Sequence, residues 1–281
     1  MEKIECYIEN ENKFKFYVMK LLPSVATKGV VFLIHDISDH SGRYEELGEI
    51  FCKNGYLFYA PDLRGSGNSK GKRGSFKTID EALTDVNFLI SKVKEEFANT
   101  PIFIFSQGMG ASIALSLVLN KPDIVKGVVA SSPHLKAANS KRGIKRLLAK
   151  ISTYVAPWWR KSTGITGNML THNKILAEQY DNDSKVHGKI SLKRAKLLDV
   201  SGKIIIANAK LLATPTLLLH STADPIADFN ATFDFFKNSN KNASLYAFNE
   251  LYHELFNELS QTQITSNVVR WFDDIISYKQ L

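Results

Sequence analysis

Several short apolar runs of this sequence are followed, at once or within a few residues, by side chains that can do acid–base or nucleophilic chemistry. An imidazole can accept and donate protons near neutral pH, and a carboxylate beside it can orient the ring. The candidates are His35-Asp36, Ser106-Gln107-Gly108-Met109-Gly110, Asp224 and His253. Taken singly, such an aspartate is more often a turn residue, and such a histidine more often lies on the surface or packs in a core. Their chemistry therefore depends on whether one fold brings them together.

The runs that precede these residues have the pattern of buried strands separated by helices. Continuous β-branched and aromatic residues are typical of parallel strands that are covered on both faces. Eight strands are predicted, at Ile4–Ile8, Phe14–Met19, Val30–Ile34, Tyr56–Ala60, Ile102–Phe105, Gly127–Ala130, Thr216–Leu219 and Ser244–Phe248. Five helices are predicted, at Arg43–Phe51, Asp80–Val93, Ala111–Leu119, Phe229–Phe236 and Ile264–Ile276. The alternation predicts an α/β fold with a mostly parallel sheet that opens with an antiparallel pair.

Two segments need a separate interpretation. From Leu135 to Leu211 the sequence is helix-like, basic and loop-like, which predicts a cap of residues 135–211 inserted into a core of residues 1–134 and 212–281. The segment Phe97–Asn120 has 24 residues without a charge and is long enough to span a bilayer. Because a proline and two glycines interrupt it, we interpret it as a buried strand that turns sharply into a buried helix.

The residues that follow the strands match, in order, the motifs of the α/β-hydrolases. The sequence resembles the monoacylglycerol lipase and lysophospholipase branch (serine aminopeptidase S33-like), from about Phe14 to Phe272. Two segments are similar to that branch in particular, namely His40-Ser41-Gly42-Arg43-Tyr44 and Lys185-Val186-His187-Gly188-Lys189-Ile190-Ser191. The resemblance implies an eight-stranded, mostly parallel sheet with flanking helices and a helical cap. It also implies carboxylester hydrolysis of a single-chain lipid or small ester, with no cofactor or metal.

A catalytic triad is also implied by the resemblance, but one member differs. In such enzymes a serine on a strained turn attacks the ester, a histidine takes its proton, and a carboxylate orients the histidine. Asp224 and His253 match the acid and the base, and we expect a hydrogen bond between them. At the nucleophile position of the Gly-x-Ser-x-Gly pattern this sequence has Gly108. Ser106, two residues earlier on the strand, is the alternative source of a hydroxyl.

The oxyanion hole departs from the family pattern as well. By resemblance, the backbone N–H groups of Ile37 and Met109 would bind the developing negative charge. Where the family usually has His-Gly, this sequence has His35-Asp36. A carboxylate of Asp36 that points into the site would oppose an oxyanion, whereas one that points to solvent or pairs with a base would not. The sequence leaves these orientations open.

Composition and charge narrow the class of protein and its partners. With 281 residues, 44% of them hydrophobic and 23% charged, the chain is neither disordered nor fibrous. Two cysteines and the lack of an apolar N-terminal segment favour a cytoplasmic protein. The net charge of +8 is local, because residues 124–177 contain ten bases and no acid, whereas the remaining 26 bases face 28 acids.

Within this basic segment, residues 141–161 have the pattern of an amphipathic helix. Apolar residues recur on one face, most bases lie off that face, and Trp158-Trp159 lies near its end. Such a helix can lie peripherally on an anionic membrane surface, or its apolar face can pack on the core as a lid. Nucleic acid is not expected as a partner, because the charge excess is confined to this segment.

Three functional hypotheses are open at this point. The first is a pseudo-hydrolase that binds a single-chain lipid or ester and turns it over slowly or not at all. The second is an active esterase that uses Ser106 or a water activated by His253. The third is a non-catalytic module that contacts a membrane surface or another protein.

Overall fold

The chain alternates between strands and helices along most of its length in a computed structural model, which describes residues 1–36, 38–73, 78–138 and 158–278. The strands are β1 (Glu2–Glu9), β2 (Lys15–Leu22), β3 (Gly29–Ile34), β4 (Tyr56–Pro61), β5 (Ile102–Gln107), β6 (Gly127–Ser131), β7 (Arg160–Ser162), β8 (Lys189–Ser191), β9 (Thr216–Ser221) and β10 (Ala243–Phe248). The α-helices are α1 (Glu45–Lys53), α2 (Ile79–Glu96), α3 (Gly108–Asn120), α4 (Lys174–Asn182), α5 (Leu192–Ala207), α6 (Phe229–Asn238) and α7 (Gln261–Tyr278).

Eight of these strands form one sheet, in the order β1-β2-β4-β3-β5-β6-β9-β10. The pairs β1–β2 and β2–β4 are antiparallel, and all other neighbours in the sheet are parallel. All eight predicted strands and the antiparallel opening pair are therefore confirmed. The uncharged segment 97–120 contains β5 and α3, as predicted. Among the described residues, no helix is long and apolar enough to cross a membrane.

Hydrophobic clusters cover both faces of this sheet. Side chains alternate between the faces of a strand, so Val30 and Phe32 of β3 belong to one cluster and Val31 and Leu33 to the other. Helices α2, α3, α5 and α6 contribute buried residues to the first cluster, and α1 and α7 contribute to the second. The buried parallel strands end at one common edge, which is where the candidate residues lie.

Between β6 and β9, the described residues form α4, α5 and the antiparallel pair β7–β8. Helix α5 joins the core through its buried residues Leu198 and Ile205. The pair β7–β8 was not predicted, because strands of three residues carry too little periodicity. Residues 139–157, which include most of the predicted basic helix 141–161, lie outside the described residues. The division into a core and a cap of residues 135–211 stays a prediction.

Candidate active site

Two glycines shape the turn between β5 and α3. Gly108 begins α3 directly after β5 and has a φ of +55°, a left-handed conformation that costs a glycine little. Gly110 lies so close to β3 that an added Cβ would be 2.1 Å from the carbonyl oxygen of Ile34. The helix can therefore begin against the sheet, and the sharp turn forms with a glycine at position 108, where the resemblance implies a serine.

The predicted hydrogen bond between Asp224 and His253 is present. Nδ1 of His253 lies 2.7 Å from Oδ2 of Asp224, and both side chains are fully buried. Oδ1 of Asp224 accepts hydrogen bonds from the backbone N–H groups of Ile226 and Ala227, at 2.8 and 3.0 Å. These contacts hold the carboxylate in one orientation toward the imidazole. The catalytic roles that the resemblance implies for the pair stay predictions.

A second imidazole, that of His220, also contacts the Asp224 carboxylate. Nε2 of His220 donates to Oδ2 of Asp224 at 3.0 Å, and Nδ1 accepts a hydrogen bond from Thr232 at 2.7 Å. Burial alone would raise the pKa of Asp224, but the charge of His253 and the hydrogen bonds from both histidines hold it well below its usual range. No role for His220 follows from the sequence, where its one signal is its place between a strand and Asp224.

Asp36 occupies the space that a side chain at position 108 would need. A Cβ added to Gly108 would be 2.2 Å from Cγ of Asp36 and 2.3 Å from each of its carboxylate oxygens. Oδ1 of Asp36 accepts a hydrogen bond from the backbone N–H of Met109 at 2.6 Å, and Oδ2 lies 3.2 Å from Nε2 of His253. The carboxylate therefore points into the site and also pairs with a basic side chain there.

His253 is held between two carboxylates. Nδ1 faces Asp224 and Nε2 faces Asp36. An ionised carboxylate only accepts hydrogen bonds, so a carboxylate at each ring nitrogen favours the form in which both nitrogens donate, the imidazolium. Burial would lower the pKa of His253, but Asp224 and Asp36 outweigh it and raise this pKa well above its ordinary value. These contacts therefore favour the protonated form of the residue that would serve as the base.

Two further residues were predicted for the site, Ser106 and Ile37. The hydroxyl of Ser106 is fully buried and donates to the carbonyl oxygen of Val129 on the adjacent strand β6, at 2.8 Å. Ile37, the second predicted oxyanion-hole donor, lies outside the described residues. Of the two predicted donors, the structure therefore describes only Met109.

A charged network connects the loop of His253 to the segment after β3. Arg43 donates two hydrogen bonds of 2.7 Å to the carboxylate of Glu254 and lies 3.1 Å from Asp39. Its guanidinium lies over the ring of Tyr180 at the end of α4, 4.7 Å from the centroid. In the sequence, Arg43 stands out only as part of the motif His40-Ser41-Gly42-Arg43-Tyr44. The structure adds a physical role, because Arg43 fixes the residue next to His253 to the segment that also carries Asp36.

Comparison with known proteins assigns the chain to a family. The sequence profile described as serine aminopeptidase, S33 matches residues 25–260. The chain belongs to this family. It is 29% identical over 257 residues to an uncharacterized abhydrolase domain-containing protein of Dictyostelium discoideum, a match that spans 90% of this chain but only 27% of that protein. It is 27% identical over 253 residues to the monoacylglycerol lipase of Mycolicibacterium smegmatis, which covers 89% of each.

A solved structure agrees with this assignment over the whole fold. The crystal structure of Paleococcus ferrophilus monoacylglycerol lipase superposes with a TM-score of 0.81 at 27% identity, and the match covers 99% of each chain. The predicted α/β-hydrolase fold and the predicted monoacylglycerol-lipase-like branch are therefore confirmed.

Proposed function

We propose that this family member binds a single-chain lipid or small ester and hydrolyses it slowly or not at all. The relatives named monoacylglycerol lipase support a ligand with one acyl chain. One observation carries the loss of hydrolysis, namely that the carboxylate of Asp36 fills the space beside Gly108 where a serine side chain would project.

This arrangement affects all three parts of serine-type catalysis. Position 108 has no hydroxyl, the N–H of Met109 already binds a negative charge, and His253 has no free nitrogen to accept a proton. Serine hydrolases without their triad keep roughly 10³–10⁴-fold acceleration over water from the oxyanion hole and from binding. Because the Met109 donor is occupied here, we expect a smaller residual rate on esters.

The alternative of an active esterase has less support. Ser106 is fully buried and donates to Val129, so its oxygen is engaged away from the ligand-facing edge. A water activated by His253 needs a neutral imidazole, and the two flanking carboxylates disfavour that form.

Restoring the family residues at both positions tests the proposal. We expect the double variant Asp36→Gly with Gly108→Ser to react with a fluorophosphonate probe and to hydrolyse a monoacylglycerol at least about 100-fold faster than the unchanged protein. Gly108→Ser alone should stay inactive, because its side chain collides with Asp36. The matched control Ser106→Ala should leave the low rate of the unchanged protein as it is.

Two results would contradict the proposal. The first is probe labelling of the unchanged protein at Ser106, or abundant release of fatty acid that is lost in His253→Ala. The second concerns the ligand. A non-hydrolysable ether analogue of a monoacylglycerol should bind the unchanged protein in a calorimetric titration. If no binding is detectable, the proposal that the protein binds a single-chain lipid is wrong.

We further propose a peripheral contact with an anionic lipid surface. Trp158 and Trp159 are 76% and 67% exposed, and the carbonyl oxygen of Trp159 accepts a hydrogen bond from Leu192 at the start of α5. Exposed indoles suit the boundary between lipid headgroups and acyl chains, and the exposed lysines Lys189 and Lys193 lie within three residues of Leu192 in the sequence. This contact would bring the site close to single-chain lipids.

A further inference from the structure

The strand β10 forms one edge of the sheet and has an open outer side. It lies at the end of the strand order, with β9 as its neighbour on the inner side. Within the described ranges of the chain, no strand pairs with its outer side. Ser244, Tyr246 and Ala247 are exposed, and the exposed fraction of Tyr246 is 43%. An edge of this kind presents backbone N–H and C=O groups that another strand can bind.

The hydrogen bonds between β9 and β10 show which backbone groups point outward. The N–H of Thr216 donates to the carbonyl oxygen of Asn242 at 2.8 Å, and the two strands continue from there in parallel register. Backbone groups alternate in direction along a strand, so the even-numbered residues of β10 direct theirs toward β9. Leu245 and Ala247 occupy odd positions and therefore direct their N–H and C=O groups away from the sheet.

The two edges of the sheet differ in charge. The strand at the other edge, β1, carries the charged residues Glu2, Lys3, Glu5 and Glu9. Charged side chains on an edge strand oppose its pairing with another chain. By contrast, β10 has the sequence Ala-Ser-Leu-Tyr-Ala-Phe, without a charge or a proline. The protection that β1 has against pairing is therefore missing from β10.

Charges of opposite sign flank β10. Lys241 precedes the strand, Glu250 follows it, and both are exposed. On α6, Lys237 is paired with the exposed Asp234 at 3.0 Å, whereas no ion pair among the described residues includes Lys241 or Glu250. If two copies of β10 lie antiparallel, the Lys241 end of one copy lies beside the Glu250 end of the other. A second copy of the chain therefore matches both the open edge and the charges at its ends.

We propose that two copies of this protein associate by antiparallel pairing of their β10 strands, which joins the two sheets into one. A two-fold axis perpendicular to the joined sheet requires one residue of β10 to face its own copy. Tyr246 suits this place, because its exposed ring then packs against the same ring across the two strands. In this register Leu245 faces Ala247 of the second copy, and the two residues exchange their outward N–H···O=C bonds.

The contact is independent of the proposed function, so either proposal can fail without the other. Its size sets its strength. A single pair of six-residue strands is a small interface. We therefore expect a reversible dimer with a Kd of about 10–100 µM.

Sedimentation equilibrium of the unchanged protein tests the association. We expect the mass to rise from that of one chain toward that of two over protein concentrations of about 1–300 µM. A two-fold contact closes on itself, so the mass should not pass that of two chains. The mass of one chain at every concentration, or a series of larger species, would overturn the proposal.

A proline at position 247 locates the contact on the outer side of β10. Ala247→Pro removes an outward N–H, and proline is tolerated on an edge strand when its nitrogen faces away from the sheet. We expect the Kd to rise at least about tenfold, because the partner carbonyl loses its donor. The control Ala247→Ser keeps the N–H and should associate like the unchanged protein. An unchanged Kd in a folded Ala247→Pro, as judged by circular dichroism, would refute pairing through β10.

Substitutions at Tyr246 test the register and do not depend on the folding of the proline variant. Tyr246→Lys and Tyr246→Glu should each be monomeric, because like charges then meet at the two-fold axis. An equimolar mixture of the two variants should form a dimer, because opposite charges then face each other. If the mixture associates no better than either variant alone, Tyr246 does not face its own copy and the proposed arrangement is wrong.

Discussion

At the scale of single residues, Gly108 and Asp36 form a matched pair. A side chain at position 108 would overlap the Asp36 carboxylate, so a serine there requires that carboxylate to move or a smaller residue at position 36. With Gly108 in place, the carboxylate instead satisfies the N–H of Met109 and one nitrogen of His253. The two departures from the family pattern thus depend on each other, although the sequence presents them as separate changes.

The Asp36 carboxylate also controls the protonation of His253. The ring faces Asp36 and Asp224 directly, and the imidazoles of His220 and His134 lie nearby. We expect Asp36→Asn to lower the pKa of His253, because it removes one of the two anionic partners. Titration of the ring signals by NMR measures this pKa, with Asp234→Asn as the control. An unchanged pKa of His253 would show that Asp36 does not stabilise the imidazolium.

The same substitution should alter the pH dependence of stability. The pKa of His253 is higher in the folded than in the unfolded protein, so its stabilising contribution is complete below the unfolded value of about 6.5. That contribution is lost as the pH rises toward the folded value. Urea unfolding at several pH values should therefore give a shallower decline above about pH 6.5 in Asp36→Asn.

At the scale of elements, Arg43 ties three segments together. It pairs with Glu254 beside His253, with Asp39 after β3, and with the ring of Tyr180 on α4. Replacing it by leucine leaves two buried carboxylates without their cation, and breaking a buried pair costs about 3–5 kcal/mol. We expect Arg43→Leu to lower the free energy of unfolding by this amount in urea titrations.

An exposed ion pair provides the matched control for Arg43. Lys203 and Asp199 of α5 are paired at 2.8 Å but are 60% and 57% exposed. Exposed pairs contribute about 0–1 kcal/mol, so Lys203→Ala should change stability little. Similar losses in Arg43→Leu and Lys203→Ala would contradict a structural role of the buried network.

The elements of the sheet were predictable because their signal is local. The predicted runs Val30–Ile34 in β3 and Ile102–Phe105 in β5 are continuously apolar. Such runs are typical of parallel strands that are buried on both faces. The order Asp224 then His253, each after a strand, predicted their hydrogen bond. The contact of Asp36 with position 108 was not predictable from the sequence. Asp36 follows β3 and Gly108 follows β5, and these two strands become neighbours only in the folded sheet. The contact also depends on the side-chain torsions of Asp36. The three-residue pair β7–β8 gave no usable pattern.

At the scale of the whole molecule, the net charge of +8 is unevenly distributed along the chain. Residues 124–177 carry ten bases and no acid, and the exposed pair Trp158 and Trp159 falls in the same range. The rest of the chain is nearly neutral, which argues against a general affinity for polyanions. The proposed contact with anionic headgroups therefore rests on a segment of the sequence that combines this excess of bases with two tryptophans.

Vesicle flotation tests this surface. We expect the protein to float with vesicles of phosphatidylcholine and phosphatidylserine, less so as salt rises, because each lysine near an anionic surface contributes about 1 kcal/mol. Lys145→Glu with Lys150→Glu, both outside the described residues, and Trp158→Ala with Trp159→Ala should each weaken binding about tenfold or more. The control Leu259→Ala removes an apolar side chain that is 85% exposed elsewhere and should float like the unchanged protein. Equal flotation of all variants would place the lipid contact on another face of the molecule.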